Sequence, residues 1–578
     1  MKSYLPVAPF ENLALSLSGG GYRAAAFHLG LLTYLSSARW KDKSLLERVR
    51  ILSTVSGGTF TGVCYATTIT EGKTIEDCYS RMYRFMSEVD LIGEGLGKLS
   101  AFREWNSPKG RSLINAFSLV YFEKFDENTF SSLFNHDTHL KEIIFNATEF
   151  SYGLPFRFQR TAQPERKFST AYLGNRQVNM PPEAVREIRL ADIMAASSCF
   201  PMGFEPINFP DDFRHDQSPL LDLLEESYGE DQWGNKCKFP VGLMDGGIVD
   251  NQGIDSVIWA EQRMQEYKGS LAQFASRDVK AIDLYLISDV SSPFMDSYVK
   301  TEEKPVNKWR KWSFRTFLKA GIGFFAAGAL FVVLACLLER SFWTFVTGFF
   351  ASLLFLMSGL SFFLSNIFNW LLKKFSVPDF FMKRLGHFTR LKFGVYETLI
   401  MNRISSVQSM VSDVFMKQVR RQEYGRVYND RMWNPRLIMN AIYELTPEQT
   451  IIRNENDKER LSTELKNPSP ALMRTAERAK SMGTTLWFTP DELAEGEEKK
   501  RSMLDTLIAC GQFTVCFNLL NYIEKVLRGK ENREVYENYP PELKTAIQDL
   551  YTRLLSDWQK FNEDPFWMAD VFRQTIKP

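Results

Sequence analysis

The chain has 578 residues, 44% hydrophobic and 24% charged, which suits about three to four folded units at roughly 100 to 200 residues each and excludes a disordered chain. Seventy Lys and Arg against 69 Asp and Glu leave a net charge of +1, so no global field argues for nucleic acid or for an acidic partner. Seven cysteines, an odd number without a CxxC pair, outline no disulfide framework and suit a reducing compartment.

The N-terminal MKSYLPVAPFENLALS has one lysine, an early proline and an acidic residue before any long apolar run, unlike a secretory signal; a cytosolic start is expected. NLALSLS (12–18) alternates with period two and stops at Gly19, Gly20 and Gly21, after which RAAAFHLGLLTYLSSA has helix-forming composition. ILSTVS (51–56) repeats the design, with Gly57 and Gly58 leading into TFTGVCYATTI. The stretch 91–180 is mixed and aromatic; LIGEGLGKLSAFREW reads as a flap near a membrane or as a surface loop. VGLMDGG (241–247) and AIDLYLIS (281–288) read as buried strands. Strand, glycine turn, helix, twice over, predicts an α/β domain whose functional edge is where strands feed helices.

Hydrophobicity then concentrates between Ala320 and Leu372. The first piece, AGIGFFAAGALFVVLACLL, spans roughly 28 Å at about 1.5 Å per residue, close to the ~30 Å hydrocarbon core of a bilayer. After Glu339 and Arg340 comes a second uncharged piece, longer than one span needs, with Asn366 and Asn369 at its packed or wet end. Together they predict a transmembrane helical hairpin. Lys300, Lys304, Lys308, Arg310, Lys311, Arg315 and Lys319 precede it and Lys373, Lys374, Lys383 and Arg384 follow, which by the positive-inside bias puts both flanks in the cytosol. Trp309, Trp312 and Trp370 suit headgroup level, and Ala320, Gly321, Gly323, Ala327 and Gly328 permit close helix approach. Beyond it, YETLIMNRISSVQSMVSDVFMKQVRRQ predicts an amphipathic helix, RLIMNAIYEL a strand, MLDTLIACGQFTVCFNLLNYIEKVL a helix or pair, and the last fifty residues are helical in composition. The soluble core is therefore expected to resume after the hairpin.

Ser56 sits where a strand-to-helix turn would expose its Oγ at the positive end of the following helix. Gly57 and Gly58 supply small neighbours, although Thr54 stands where a GxSxG elbow has glycine. A helix cap is the competing reading of Ser56, and a turn or cap that of Asp245, which ends the strand VGLM before Gly246 and Gly247. None of the five histidines (28, 136, 139, 215, 387) has a triad-like setting, so a carboxylate is the available base. The glycines of SLSGGGYR would present unobstructed N–H groups to an anion, or form a plain packing turn; no GxxxxGK[ST] or GxGxxG pattern marks a nucleotide loop.

In order, GGGYR (19–23), VSGG (55–58), AASSCFPMGFEP (195–206) and DGGIVDN (245–251) resemble the motifs of patatin-like phospholipases, and TLWFTPDEL (485–493) followed by ACGQ resembles the end of that family's domain. The resemblance covers roughly residues 10 to 290 and 380 to 525. It implies a three-layer α/β/α domain at 10–295 and 380–527, interrupted by the hairpin (315–373) and followed by a helical extension at 528–578. It further implies a lipid acyl hydrolase with a Ser-Asp dyad and neither metal nor cofactor. Ser56 would be the nucleophile, Asp245 its base, and Gly19, Gly20 and Gly21 the oxyanion hole; Arg23 would fix that loop or meet a phosphate-bearing head group. Thr54, and Ala24 in place of a glycine, depart from the family pattern.

The reading is a bacterial phospholipase or lysophospholipase of the inner membrane, multi-pass, with its site facing the cytosol and membrane phospholipid as substrate. Such an enzyme endangers its own cell, so restraint released by oligomerisation, a regulatory partner or a signal is expected, as in antiviral effectors of the family. A non-catalytic membrane scaffold or pore component, or an acyltransferase, are the alternatives.

Overall fold

The computed structural model describes residues 5–6, 8–100, 105, 107–161, 174–175, 178, 180–201, 203–215, 229–230, 236–237, 241–270, 282–291, 308–338, 342–374, 390–456, 462–494 and 501–576. Lys300, Lys304, Glu339, Arg340, Lys383, Arg384 and His387 lie outside these residues. Two compact units divide the chain, Met1–Phe294 with Phe415–Pro578, and Met295–Val414.

The first unit is built on an eight-stranded sheet. Its strands are β1 (Leu13–Leu17), β2 (Val49–Val55), β3 (Glu142–Glu149), β4 (Leu154–Thr161), β5 (Ile207–Phe209), β6 (Val241–Asp245), β7 (Leu284–Asp289) and β8 (Leu437–Ala441). The order is β8-β7-β1-β2-β3-β6-β5, with β4 also on β3. The run from β8 to β3 is parallel, and β4, β6 and β5 are antiparallel to their neighbours. Parallel strands are covered on both faces, which is why LALSL and LYLISD are buried at every position. Leu13, Leu15 and Leu17 point into one core, whereas Ala14 joins Ile51, Ile144 and Ile287 in a second core on the opposite face.

Helices α1 (Gly21–Ser37), α2 (Gly57–Thr70) and α3 (Leu190–Ser197) belong to the larger core, and α4 (Ile254–Ser270) to the smaller. Strand β8 shows that the sheet is completed from beyond the hairpin. The second unit holds α5 (Phe314–Leu337), α6 (Phe342–Lys374) and α7 (Phe393–Ser409). Helix α8 (Met416–Asn429) follows in the first unit, which takes up the chain again at Phe415.

Helix α9 (Met503–Tyr522) is a single helix, apolar on all sides because it is enclosed on all sides. It crosses α1 at two glycines: a side chain at Gly30 would strike the Ile508 carbonyl, and one at Gly511 the Phe27 carbonyl. Helix α10 (Pro541–Glu563) buries Ile547, Leu550, Leu554, Trp558 and Phe561, with Trp558 against Phe517 of α9 at 5.5 Å. The helical C-terminal segment thus buries its apolar face against the core. LIGEGLGKLS forms a helix, Leu91–Ser100.

Among the described residues three helices are long and apolar enough to cross a membrane: Phe314–Leu337, Phe342–Ile367 and Met503–Leu527. The third is wholly buried within the first unit, whereas the first two turn large apolar side chains outward, among them Phe325, Leu330, Phe345, Leu356 and Phe363. Gly321 and Gly328 face the partner helix, where Ser358 Oγ donates to the Gly321 carbonyl at 2.8 Å and Gly328 abuts Phe355. Gly323 faces away from it. At the hairpin base Ser313 caps α5 reciprocally with Thr316, Phe314 meets Phe393 edge-on at 4.9 Å, and Arg310 pairs with Glu397.

Candidate active site

Sheet register brings the proposed nucleophile and base together. Strand β4 occupies one edge of β3 along its whole length, so β2 and β6 share the other edge. Parallel β2 runs up to Val55 opposite Asn146, and antiparallel β6 comes down to Asp245 opposite Ala147. Two strands that run toward each other thus end at adjacent rungs, and the turns leaving them share one space.

Ser56 leaves β2 at φ 50°, a left-handed conformation that a non-glycine residue seldom adopts, and is buried. Three hydrogen bonds through the Ser197 and Asn146 side chains fix the turn. The Ser56 N–H donates to Ser197 Oγ at 2.9 Å, Ser197 Oγ donates to the Asn146 carbonyl at 2.6 Å, and Asn146 Nδ2 donates to the Thr54 carbonyl at 2.9 Å. Ser197 and Cys199 of the AASSCF segment also receive β6: the Gly246 N–H donates to the Ser197 carbonyl at 3.3 Å and the Asp245 N–H to the Cys199 carbonyl at 2.9 Å. One segment therefore holds both the serine turn and the aspartate strand.

Thr54 fits because helix α2 makes room for it. Its methyl lies where a side chain at Gly62 would be, and its Oγ1 is within 3.0 Å of Thr59 Oγ1. The glycine missing from the strand is thus supplied one turn up the helix, and the elbow is formed.

The Asp245 carboxyl is buried. The Gly247 N–H donates to Oδ1 at 2.7 Å and the neighbouring Ser56 side chain also favours the ionised form, yet burial outweighs both and pushes its pKa up from 3.8 to about 6. Asn251 was not singled out from sequence, but it closes the same space: its Oδ1 lies 2.6 Å from where a Gly247 Cβ would stand and its Nδ2 donates to Ser291 Oγ at 3.0 Å.

The glycine loop lies against Ser56. A Cβ at Gly19 would sit 3.0 Å from Ser56 Cβ, one at Gly57 only 2.7 Å from the Gly21 nitrogen, and one at Gly58 2.7 Å from the Ser18 carbonyl oxygen. These glycines are demanded by backbone meeting backbone. Gly20 and Gly21 also have φ of 144° and 59°. The three amides of the loop differ. The Gly19 N–H donates to the Asn251 carbonyl at 3.0 Å, whereas among the described residues the N–H groups of Gly20, Gly21 and Gly57 meet no acceptor. The next amide, Tyr22 N–H, is anchored on the Thr485 carbonyl at 2.7 Å. Arg23, partly buried, donates through Nη1 to the Met482 carbonyl at 2.7 Å. Burial lowers the Arg23 guanidinium to about 10, partly offset by Asp289. TLWFTPDEL thus stands beside the glycine loop, some 460 residues away in sequence.

Among the described residues no group of three or more His, Cys, Asp or Glu is arranged to hold a metal ion. No curated protein matches the chain. Residues 15–258 match the Patatin family model, described as patatin-like phospholipase, and this span holds the glycine loop, Ser56, Asp245 and Asn251 but neither β7, β8 nor α9. The chain therefore carries, over residues 15–258, a patatin-like phospholipase domain, which supports lipid acyl hydrolase activity in general.

Proposed function

We propose that this protein hydrolyses fatty acyl esters of membrane glycerophospholipids through a Ser56–Asp245 dyad, attached to the bilayer by the α5–α6 hairpin. The observation that carries the reading is the placement of Ser56, on a strained turn, beside the buried Asp245 carboxyl whose ionised form it favours, next to amides that meet no acceptor among the described residues. Asp245 takes the Ser56 proton as Oγ attacks the ester carbonyl, and the N–H groups of Gly20, Gly21 and Gly57 hold the oxyanion, aided by the N-terminal ends of α1 and α2. Gly19 serves by absence of a side chain rather than as a donor, since its N–H is engaged by Asn251. The carbon–oxygen bond to the lysolipid then breaks, and Asp245 returns the proton to the departing alkoxide. Water, deprotonated by Asp245, attacks the acyl-enzyme, and Ser56 Oγ recovers the proton as the fatty acid leaves.

Two outward-facing apolar helices with basic flanks support attachment to a cytosol-facing inner-leaflet surface, where the local substrate concentration is high. Restraint until a partner, an oligomer or a signal releases activity remains part of this reading, because unrestrained lipolysis would damage the host membrane.

The test is fatty-acid release by the full-length protein reconstituted with phosphatidylglycerol and phosphatidylethanolamine vesicles. Ser56→Ala and Asp245→Asn should each lose at least roughly 10³-fold in kcat. Equal release by wild type and both variants would end the dyad assignment and favour the scaffold reading. Acyl transfer to an added alcohol in preference to water would favour the acyltransferase.

A further inference from the structure

His28 has no triad-like setting and does not touch Asp245 or Ser56 in any hydrogen bond of the described residues, yet it is wholly buried on α1, directly behind the glycine loop. Its Nε2 lies 3.0 Å from the Ser18 carbonyl oxygen and its Nδ1 3.0 Å from Ser288 Oγ. A carbonyl only accepts, so Nε2 carries the hydrogen. Burial holds the imidazole neutral, with a pKa near 4, so Nδ1 accepts from the Ser288 hydroxyl.

The remaining polarity is then forced. Ser288 Oγ, having directed its hydrogen to His28, accepts from Asn440 Nδ2 at 3.2 Å, and Asn440 Oδ1 accepts from Asn518 Nδ2 at 3.2 Å. All four side chains are buried, and they come from α1, β7, β8 and α9. The chain of donors thus runs one way, from α9 to the glycine loop, and its first three contributors lie beyond the residues that match the family model.

The acceptor at its end matters. The Ser18–Gly19 peptide is held at both poles, its C=O by His28 and its N–H by the Asn251 carbonyl. The next two amides, Gly20 and Gly21, are those without acceptors, and glycines have no side chain to restrain their dihedrals. A fixed peptide immediately upstream is what sets their direction.

We propose that His28 is a positioning residue for the oxyanion loop: its Nε2–H clamps the Ser18–Gly19 peptide so that the Gly20 and Gly21 amides stay aimed, and Asn518, Asn440 and Ser288 lock the imidazole in the tautomer that does this. The inference rests on the Ser56–Asp245 reading above. It assigns the segment after the hairpin a part in the chemistry, through orientation rather than through contact with substrate.

The test uses full-length protein, a soluble p-nitrophenyl ester and phosphatidylglycerol vesicles, with kcat and KM measured separately. His28→Leu removes the clamp, and His28→Gln restores an N–H donor near the Nε2 position. Loss of an aligned oxyanion donor costs roughly 10²- to 10³-fold, so misalignment of retained donors should lower kcat by roughly 10- to 100-fold in His28→Leu, with KM within about twofold. His28→Gln should recover most of that loss, and Ser288→Ala, which frees the tautomer, should fall between. If His28→Leu does not fold, the comparison of His28→Gln with Ser288→Ala still decides, because only the latter should lose kcat. Wild-type kcat in His28→Leu, or equal loss in His28→Leu and His28→Gln, would overturn the proposal while leaving the dyad intact. Undiminished turnover by Ser56→Ala would instead overturn the reading beneath it.

Discussion

Asp245→Asn should abolish turnover and yet make the protein more stable at neutral pH. Burial raises the Asp245 carboxyl from 3.8 to about 6 in the folded protein. At about 1.36 kcal/mol per pKa unit, keeping it ionised at pH 8 costs the native state ~3 kcal/mol relative to the unfolded chain. A raised pKa means that the penalty is absent below about pH 4, grows as the unfolded carboxyl ionises through about pH 4 to 6, and is constant above that window. Asparagine is isosteric, keeps an Oδ1 for the Gly247 N–H and carries no charge. Thermal or denaturant unfolding of both proteins across pH 4 to 8 should therefore show the variant more stable by ~3 kcal/mol at pH 8, with the difference vanishing near pH 4. Wild-type kcat/KM should fall about tenfold per pH unit below about 6, as the base is protonated. A pH-independent stability difference, or a variant less stable than wild type at pH 8, would refute the account of a carboxylate held ionised against burial.

Two further outcomes test the backbone packing at the site. Gly57→Ala places a Cβ against the Gly21 backbone and should lower kcat by roughly 10²-fold or more with little change in KM, measured on a soluble ester; wild-type turnover would show that loop and helix need not touch. Gly62→Ala drives a methyl into the Thr54 side chain and should cost ~1–3 kcal/mol of stability, most of it recovered in the double variant with Thr54→Ala; additive single effects would show that the two positions are not exchanging one space.

Much of the local framework was legible in the residues. NLALSLS, ILSTVS, VGLMDGG, AIDLYLIS and RLIMNAIYEL overlap strands β1, β2, β6, β7 and β8, because short apolar runs stopped by glycine or polar residues record strand burial directly. The turns after β1 and β2 followed from their glycines, and the hairpin helices from uncharged length. Composition alone does not separate a helix enclosed by protein from one enclosed by lipid: α9 meets the same hydropathy criterion as α5 and α6 and is a core helix, since both surroundings select the same apolar side chains.

The sequence by itself determined the element types, the strand-glycine-helix turns and the residue types able to act as nucleophile and base. Tertiary structure alone decided which groups meet: Asp245 beside Ser56 through the register of β3, Gly62 as the space for Thr54, the Gly19 amide engaged by Asn251 while those of Gly20 and Gly21 meet no acceptor among the described residues, and His28 behind the loop. Periodicity and turn chemistry report a residue's nearest neighbours along the chain. Hydrogen bonds between residues hundreds of positions apart exist only once the elements that carry them have packed into one sheet-based core.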